Sequence, residues 1–455
     1  MNKSHSRFIS ILDKILIIYI IVNPLIDFFT GLYIKEFLGI TELDISSAVF
    51  VSTPSLMIRL AMLAVFGIYM LARREKVGIM TLIIMGAAFC LSIAMLMLGG
   101  VKLQISVDIK YFVKYCYNIA MLFAYLALMR NMCRDKNEFI EKVFFVVKFT
   151  CIVCALGIIV PYIFSIGYYT YADRLGLRGC RGYFYSGNDI TAIFTILLPL
   201  TIAYFLKSSE PVFSKKSLIP ILSASLSIIA LLLIGTKTAF IAVIGSSALM
   251  FLFTLFAIPK KGTKMLTRAL ALILVTLVLF ALLGCIVGFD RLLFELHSSA
   301  EAPSQLAQSE GSEIALLSGR SYKLHYHVEK FLNGGVLAWL FGIGRSTVTS
   351  IIEMDLFEVF IYYGLVGALA MLWLYVWLAV EFIKAFFKNF DIISFALLIG
   401  IGITFGYLTL AGHVLFTVTS GQYFVLAIAF SRLYFAKSAE EAAIRPKLLC
   451  KLVKA

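Results

Sequence analysis

Twelve apolar runs of about 20 residues each recur along the 455-residue chain, and they decide what it folds into. They lie near 9–32, 50–72, 79–98, 110–130, 143–164, 189–206, 217–234, 238–258, 266–288, 356–380, 391–411 and 419–436. A run of that length in lipid must satisfy its backbone hydrogen bonds internally, which an α-helix does. The predicted fold is an all-α integral membrane protein of about 12 transmembrane helices, one polytopic domain over 1–455. Composition agrees: 61% of residues are hydrophobic, 15% are charged and the mean hydropathy is +0.96. A soluble domain is nearer half apolar and a quarter charged. With 9 Pro beside 39 Phe and 22 Tyr, disorder, collagen and a secreted disulfide scaffold are excluded. The first run follows Lys3 and Arg7 without a small-residue cleavage site, so it reads as an anchor.

The formal charge of +14 is a topology signal. Of the 40 Lys and Arg, 25 fall at the two ends and in the alternate gaps that share their side; 12 fall on the other side and three within runs (Arg59, Lys114, Lys148). Positive charge marks the cytoplasmic side. Both termini are therefore predicted inside, with 437–455 as a basic cytoplasmic tail. A chain this apolar has no soluble basic face for nucleic acid, so the expected partner of the charge is the lipid bilayer. Eight cysteines fall mostly in apolar runs or basic ends, so no structural disulfide is expected. Cys151 and Cys154 form a CxxC inside a span, where small apolar packing outweighs metal binding as a reading.

Two segments on the predicted outer side exceed a tight turn, 165–188 and 289–355. The second opens with a Ser/Glu/Gln/Ala stretch, Ser298 to Ser312, that reads as poor in structure. An amphipathic helix follows, in which Arg320, Lys323, His327 and Lys330 share one face at spacings of three and four. Tyr322, Tyr326 and Leu332 point elsewhere, as in a helix lying on the membrane interface. A solvated basic face is the plainer reading of the same pattern.

Ionisable groups collect on that outer side: His297, His325, His327, His413, Arg178, Arg181, Arg320 and Arg345, with Glu353, Asp355 and Glu358 at the start of the tenth run. Such groups at span ends either snorkel to water or converge on a site. No GxxxxGKS loop, HExxH or zinc-spaced CxxC pair occurs, and Gly342–Gly344 in LFGIGRS reads as a turn or close-packing signal. A reaction here must draw its energy from an activated substrate. A lipid pyrophosphate-linked sugar is one, because its leaving group needs only cations, and Arg forks onto phosphate oxygens.

The run RGCRGYFYSGNDITAIFTILLPL (178–200) resembles the Arg/Asn/Leu-Pro segment of the O-antigen ligase and O-antigen polymerase superfamily. LLLIGTKTAFIAVI (231–244) is similar to its "TGSRG" turn into a span, SGR (318–320) with LFGIG (340–344) to the motif pair of its large outer loop, and EMDLFEVFIYYGLVG (353–367) to its "HN…GxxG" element. The resemblance covers roughly 178–420, with the first 170 residues matching in topology alone. Glu353 stands where that family has its catalytic His, and Lys237 where an Arg is usual.

The resemblance implies a GT-C-like architecture and an inverting, metal-independent membrane glycosyltransferase without cofactors, facing outward from a bacterial cytoplasmic membrane. It would polymerise polyprenyl-pyrophosphate-linked oligosaccharide repeats of O-antigen, capsule or exopolysaccharide, beside a flippase and a chain-length regulator. A ligase moving finished glycan to another acceptor, or a flippase without chemistry, are the rival readings. On the polymerase reading, Glu353 or His413 is the base, and Arg178, Arg181, Lys237 and Arg320 hold pyrophosphate. Asn188, His327, Arg345 and Asp355 contact substrate. Blander roles stand beside these: Asn188 as a helix cap, Glu353 as an ion-pair partner of Arg345, Lys237 as a snorkelling lysine, and Asp27 as a support for a kink at Asn23–Pro24.

Overall fold

Side-chain caps fix where several helices begin. Thr53 accepts from Leu56 N–H ahead of Pro54, Asp135 from Asn137, Ser186 from Asp189, Ser214 from Ser217 and Thr236 from Ala239. In this computed structural model, residues 3–40, 53–133, 135–172, 178–310, 317, 319–436, 441 and 444 are described. The helices are α1 (Lys3–Leu32, prolonged by a π turn, Tyr33–Phe37), α2 (Pro54–Ala72), α3 (Lys76–Leu98), α4 (Ile105–Met132), α5 (Lys136–Ile163), α6 (Gly187–Lys207), α7 (Lys215–Ile234), α8 (Lys237–Lys261) and α9 (Lys264–Val287). They continue as α10 (Phe289–Glu310), α11 (Arg320–Asn333), α12 (Gly335–Phe341), α13 (Asp355–Lys388), α14 (Ile392–Leu410) and α15 (Gly421–Phe435). A two-stranded antiparallel hairpin, β1 (Tyr168–Tyr169) and β2 (Cys180–Gly182), lies between α5 and α6.

Eleven of the described helices are long and apolar enough to cross a membrane, so the chain is an all-α multi-pass membrane protein. The predicted twelfth run, 419–436, behaves differently. Residues 411–420 are not helical, and α15 has only 15 residues. At 1.5 Å per residue it is about 22 Å long, short of the roughly 30 Å hydrocarbon core. It is buried from Gly421 to Ser431. Irregular backbone at this depth is tolerated because protein, not lipid, surrounds it.

α4 and α6 form the core, with every residue from Tyr117 to Met129 and from Ile190 to Ala203 buried. α8 and α9 instead expose Ile241, Ile244, Leu274 and Leu277, side chains suited to lipid. Away from the loop 411–420, at the far end of the bundle, Arg73 pairs with Asp13 at 2.7 Å and Arg130 with Glu75, tying α1, α2 and α4 together.

The 289–355 segment is folded rather than open. The stretch read as poor in structure is helical from Ser298 to Glu310, since Ala, Glu and Gln are good helix formers; the rest of it, 311–312, lies outside the described residues. The SGR motif retains Gly319 and Arg320, and Ser318 is outside them. Of the predicted tail 437–455, only Glu441 and Ile444 are described.

The GxG segment has a packing cause. α13 is broken at Gly364 (φ 63°, ψ −167°), which frees carbonyls of the preceding turn. Ile343 N–H donates to Ile361 O at 2.9 Å and Gly344 N–H to Tyr362 O at 3.1 Å. A Cβ on Gly342 would lie 2.2 Å from Tyr362 O, and one on Gly364 2.4 Å from Gly342 N. Glycine at both places is what lets these backbones touch.

Candidate active site

Asp355 and Glu358 stand one turn apart at the start of α13, and both are completely buried. A helix N-terminus favours negative charge, but buried carboxylates still need partners. Asp355 Oδ2 accepts the N–H groups of Val414 and Leu415, each at 2.6 Å. His413 Nδ1 donates to Asp355 Oδ1 at 2.7 Å and lies 3.8 Å from Glu358 Oε2. Glu358 also accepts Tyr111 Oη–H and, at 2.7 Å, the N–H of Glu353. Burial pushes the His413 imidazole down, but Glu358, the hydrogen bond and charge of Asp355, and Glu353 outweigh it and raise the ring to about 9. His413 is an imidazolium at neutral pH.

Glu353 sits two residues before α13 in the left-handed region, φ 65°, where a glutamate is strained. Its backbone bond to Glu358 holds it there. Arg320, first residue of α11, donates from Nη2 to Glu353 Oε2 at 2.6 Å. Burial pushes the Glu353 carboxyl up, but the charges of Arg320, Lys323 and His413 and the Arg320 hydrogen bond prevail and hold it below its ordinary value. About a third of the Glu353 side chain remains open to solvent, against about an eighth for Arg320. The carboxylate is thus ionised, positioned and reachable.

Helices from the other half of the bundle hold the loop 411–420 that carries His413. Asn118 of α4 donates to the carbonyls of Val414, Leu415 and Thr417 at 3.2, 2.9 and 2.9 Å. Ser420 donates to Asp189 of α6 at 2.8 Å, and Arg59 of α2 reaches Thr419 at 2.8 Å. Arg59 also pairs with Asp27 of α1 at 2.5 Å, so Asp27 does more than support a kink; it anchors an inter-helix ion pair beside this loop.

Arg320, Glu353, Asp355 and His413 thus come together. Lys237, first residue of α8, lies within electrostatic range of Arg320. The other candidates take different places. Arg345 does not pair with Glu353; it donates to Val348 O at 2.6 Å and lies 5.8 Å from the Tyr111 and Tyr362 rings. His327 is fully buried, its Nδ1 2.6 Å from Lys323 O and its Nε2 3.2 Å from Ser350 O. The ring is wedged between two backbone carbonyls and donates its one N–H to one of them, so His327 fastens α11 rather than meeting a ligand. Lys330 similarly donates to Thr347 O, and the basic face of α11 docks on residues 347–353 instead of being solvated. Tyr322, Tyr326 and Leu332 are exposed, as their positions predicted.

Asn188 does not cap α6, a role Ser186 fills; its carbonyl accepts Tyr407 Oη–H at 2.9 Å. Arg181 lies over the Tyr168 ring at 5.3 Å and passes Gly187 at the start of α6. Arg178 faces the charge of Glu295 in α10, beside a polar cavity of about 300 Å³ lined by Tyr162, Tyr169, Gly179, Arg291 and Glu295. The two hairpin arginines therefore divide between two places.

Asp355, Glu358 and His413 bring ligand atoms within 4.8 Å of one another, a spacing a metal ion fits. The carboxylates are already supplied with donors, however, and the His413 imidazolium occupies the cation's place between them. Sequence reading passed over Asp189, Tyr111 and Asn118. Their signal was present as polar side chains inside two otherwise apolar runs.

A family model described as "O-antigen ligase like membrane protein" matches residues 10–295. A search of curated proteins found no match. The matched span starts in α1 and ends in α10, so it covers 178–295 of the resemblance read at 178–420 and extends it through the first five helices, while the motifs at 318–320, 340–344 and 353–367 lie beyond it.

Proposed function

Because the chain belongs to the O-antigen ligase like membrane proteins, and is thus a membrane enzyme of glycan assembly of the glycosyltransferase type, we propose that it polymerises oligosaccharide repeats carried on polyprenyl pyrophosphate. The site would open on the outer face of a bacterial cytoplasmic membrane, with both termini inside as the Lys and Arg distribution predicts and with the irregular residues 411–420 and α15 together making the last crossing.

The observation that carries the reading is the Arg320–Glu353 pair at 2.6 Å, a phosphate-binding cation joined to a partly open carboxylate. An acceptor hydroxyl attacks the anomeric carbon of the donor glycan. Glu353 takes the hydroxyl proton as the new C–O bond forms. The bond from the anomeric carbon to the pyrophosphate oxygen breaks, and its electron pair leaves with the pyrophosphate, neutralised by Arg320 and Lys237 together with Arg178 or Arg181. Such a single displacement inverts the anomeric carbon and draws its energy from the pyrophosphate.

The pair also times the reaction. A bound pyrophosphate competes with Glu353 for Arg320. As Arg320 turns to phosphate, Glu353 loses the cation that held its basicity down and becomes the stronger base only with donor in place. His413, already an imidazolium, then acts by holding charge beside Glu353 rather than by accepting the proton, with Asp355 fixing its orientation. Arg345, bonded to the Val348 carbonyl, supports this frame from behind, while the Asn188 side chain is left to contact substrate. The partners expected in the cell remain the lipid-linked oligosaccharide, a flippase and a chain-length regulator.

The ligase reading retains one support, the printed description of the matching family. Reconstitution of the purified protein with lipid-linked repeat units separates the two. A ladder of lengths on the lipid carrier is the polymerase outcome, and a single addition to a different acceptor is the ligase outcome. Binding without a new glycosidic bond would refute both.

A further inference from the structure

Lys114 is a charged residue in the central helix α4 that the site described so far leaves unused. α4 runs from Gln104 and Asp108, which bond Ser346 beside the site, to Arg130, which pairs with Glu75 at the other end. Tyr111, Lys114 and Asn118 share one face at spacings of three and four. Tyr111 bonds Glu358, and Asn118 bonds the carbonyls of the loop 411–420, so this face points into the site. Both neighbours are buried, whereas Lys114 between them is exposed. Asp189, Arg345 and Arg59 are its electrostatic neighbours, so its exposed side chain lies on the side of the helix that faces the site.

Among the described residues, no carboxylate lies within ion-pair distance of Lys114. The charges in electrostatic range are Asp189, Arg345 and Arg59, two cations against one carboxylate, and Asp189 already accepts from Ser420 at 2.8 Å. An unmatched ammonium inside a membrane helix is costly unless it meets water or an anionic ligand. Three residues at 1.5 Å each put it about 4.5 Å deeper than Tyr111, on the side toward the membrane middle.

Resting on the glycosyl-transfer reading above, we infer that Lys114 binds the lipid-proximal phosphate of the polyprenyl pyrophosphate, while Arg320 binds the sugar-proximal one. The prenyl chain lies in hydrocarbon, so the phosphate attached to it is the deeper of the two. The deeper cation meets that phosphate, and the shallower cation, joined to Glu353, meets the phosphate whose bond to sugar breaks. Lys114 thereby sets the depth at which the anomeric carbon is presented.

The test is lipid binding by the full-length protein in nanodiscs, with undecaprenyl pyrophosphate and undecaprenyl monophosphate as probes. Lys114→Gln should weaken both lipids by about tenfold or more, because both carry the lipid-proximal phosphate. Arg320→Gln should weaken only the pyrophosphate, and Lys114→Arg should stay within a few-fold of wild type for both. Lys114→Met, which keeps the bulk of the stem, repeats the reading should the amide disturb folding. Unchanged binding of both lipids in Lys114→Gln and Lys114→Met would overturn the inference, as would a loss confined to the pyrophosphate. Wild-type protein that binds neither lipid would instead bring down the glycosyl-transfer reading itself.

Discussion

Glu353, in a left-handed backbone conformation at φ 65°, holds its carboxylate 2.6 Å from the Arg320 guanidinium contributed by a different helix. The pair is neutral as a unit and partly open, so a pyrophosphate and an acceptor hydroxyl can each claim one member. Four expectations follow from this geometry and its supports.

Arg320→Ala should insert normally yet reduce polymer formation by on the order of 100-fold, the scale for losing about 2.7 kcal/mol of charge stabilisation at a leaving group. Arg320→Lys should recover only part, since a point charge lacks the fork. The same variant should move the acid limb of kcat/KM to higher pH, because the strongest influence lowering the Glu353 pKa is gone. An acid limb that stays put would show that Arg320 does not govern this carboxylate.

His413 has a folded-state pKa raised from 6.5 to about 9. Its contribution to stability is therefore complete below about 6.5 and is lost as pH rises through about 9. The melting temperature of the detergent-purified protein should fall between about pH 7 and pH 10, and activity should show an alkaline limb near 9. In His413→Gln both effects should shrink. An alkaline limb unchanged by that substitution assigns it to another group.

Asp355→Ala should destabilise the fold by about 3–5 kcal/mol, because it strands a half-buried imidazolium and the buried N–H groups of Val414 and Leu415. Thermal unfolding against wild type checks this. A loss of activity at unchanged stability would make Asp355 a substrate ligand instead of a positioning residue.

Gly364→Ala should lower the melting temperature, since φ 63° alone costs an alanine about 1–3 kcal/mol and its Cβ would meet the Gly342 backbone. Gly402→Ala, inside α14 where a new methyl would meet nothing within 4 Å, should cost less. Equal effects would argue against a backbone cause at the kink.

Periodicity made part of this legible in the chain. Twelve runs of hydrophobicity predicted the helices, and the spacing of Arg320, Lys323, His327 and Lys330 placed them on one face, though not what that face docks on. Glu353 was located by the resemblance of EMDLFEVFIYYGLVG to the "HN…GxxG" element. What escaped was long-range: Asn118 meets a loop almost 300 residues later, and Tyr111 meets Glu358 across 247 positions. No local pattern encodes such a contact. His327 misled for the opposite reason, since its ring is wedged between backbone carbonyls that any sequence offers. The run 419–436 was read as one full-length helical span because burial in protein and burial in lipid select the same apolar residues, and only the geometry of 411–420 shows that the helix is short and preceded by irregular backbone.

The most direct measurement compares wild type with Glu353→Gln in proteoliposomes supplied with polyprenyl-pyrophosphate-linked oligosaccharide, following donor binding and release of polyprenyl pyrophosphate together. Wild type should release one lipid pyrophosphate for each glycosidic bond formed. Glu353→Gln should bind donor with similar affinity and release almost none, while His413→Ala retains much more turnover. Turnover by Glu353→Gln within a few-fold of wild type would contradict the assignment of the base.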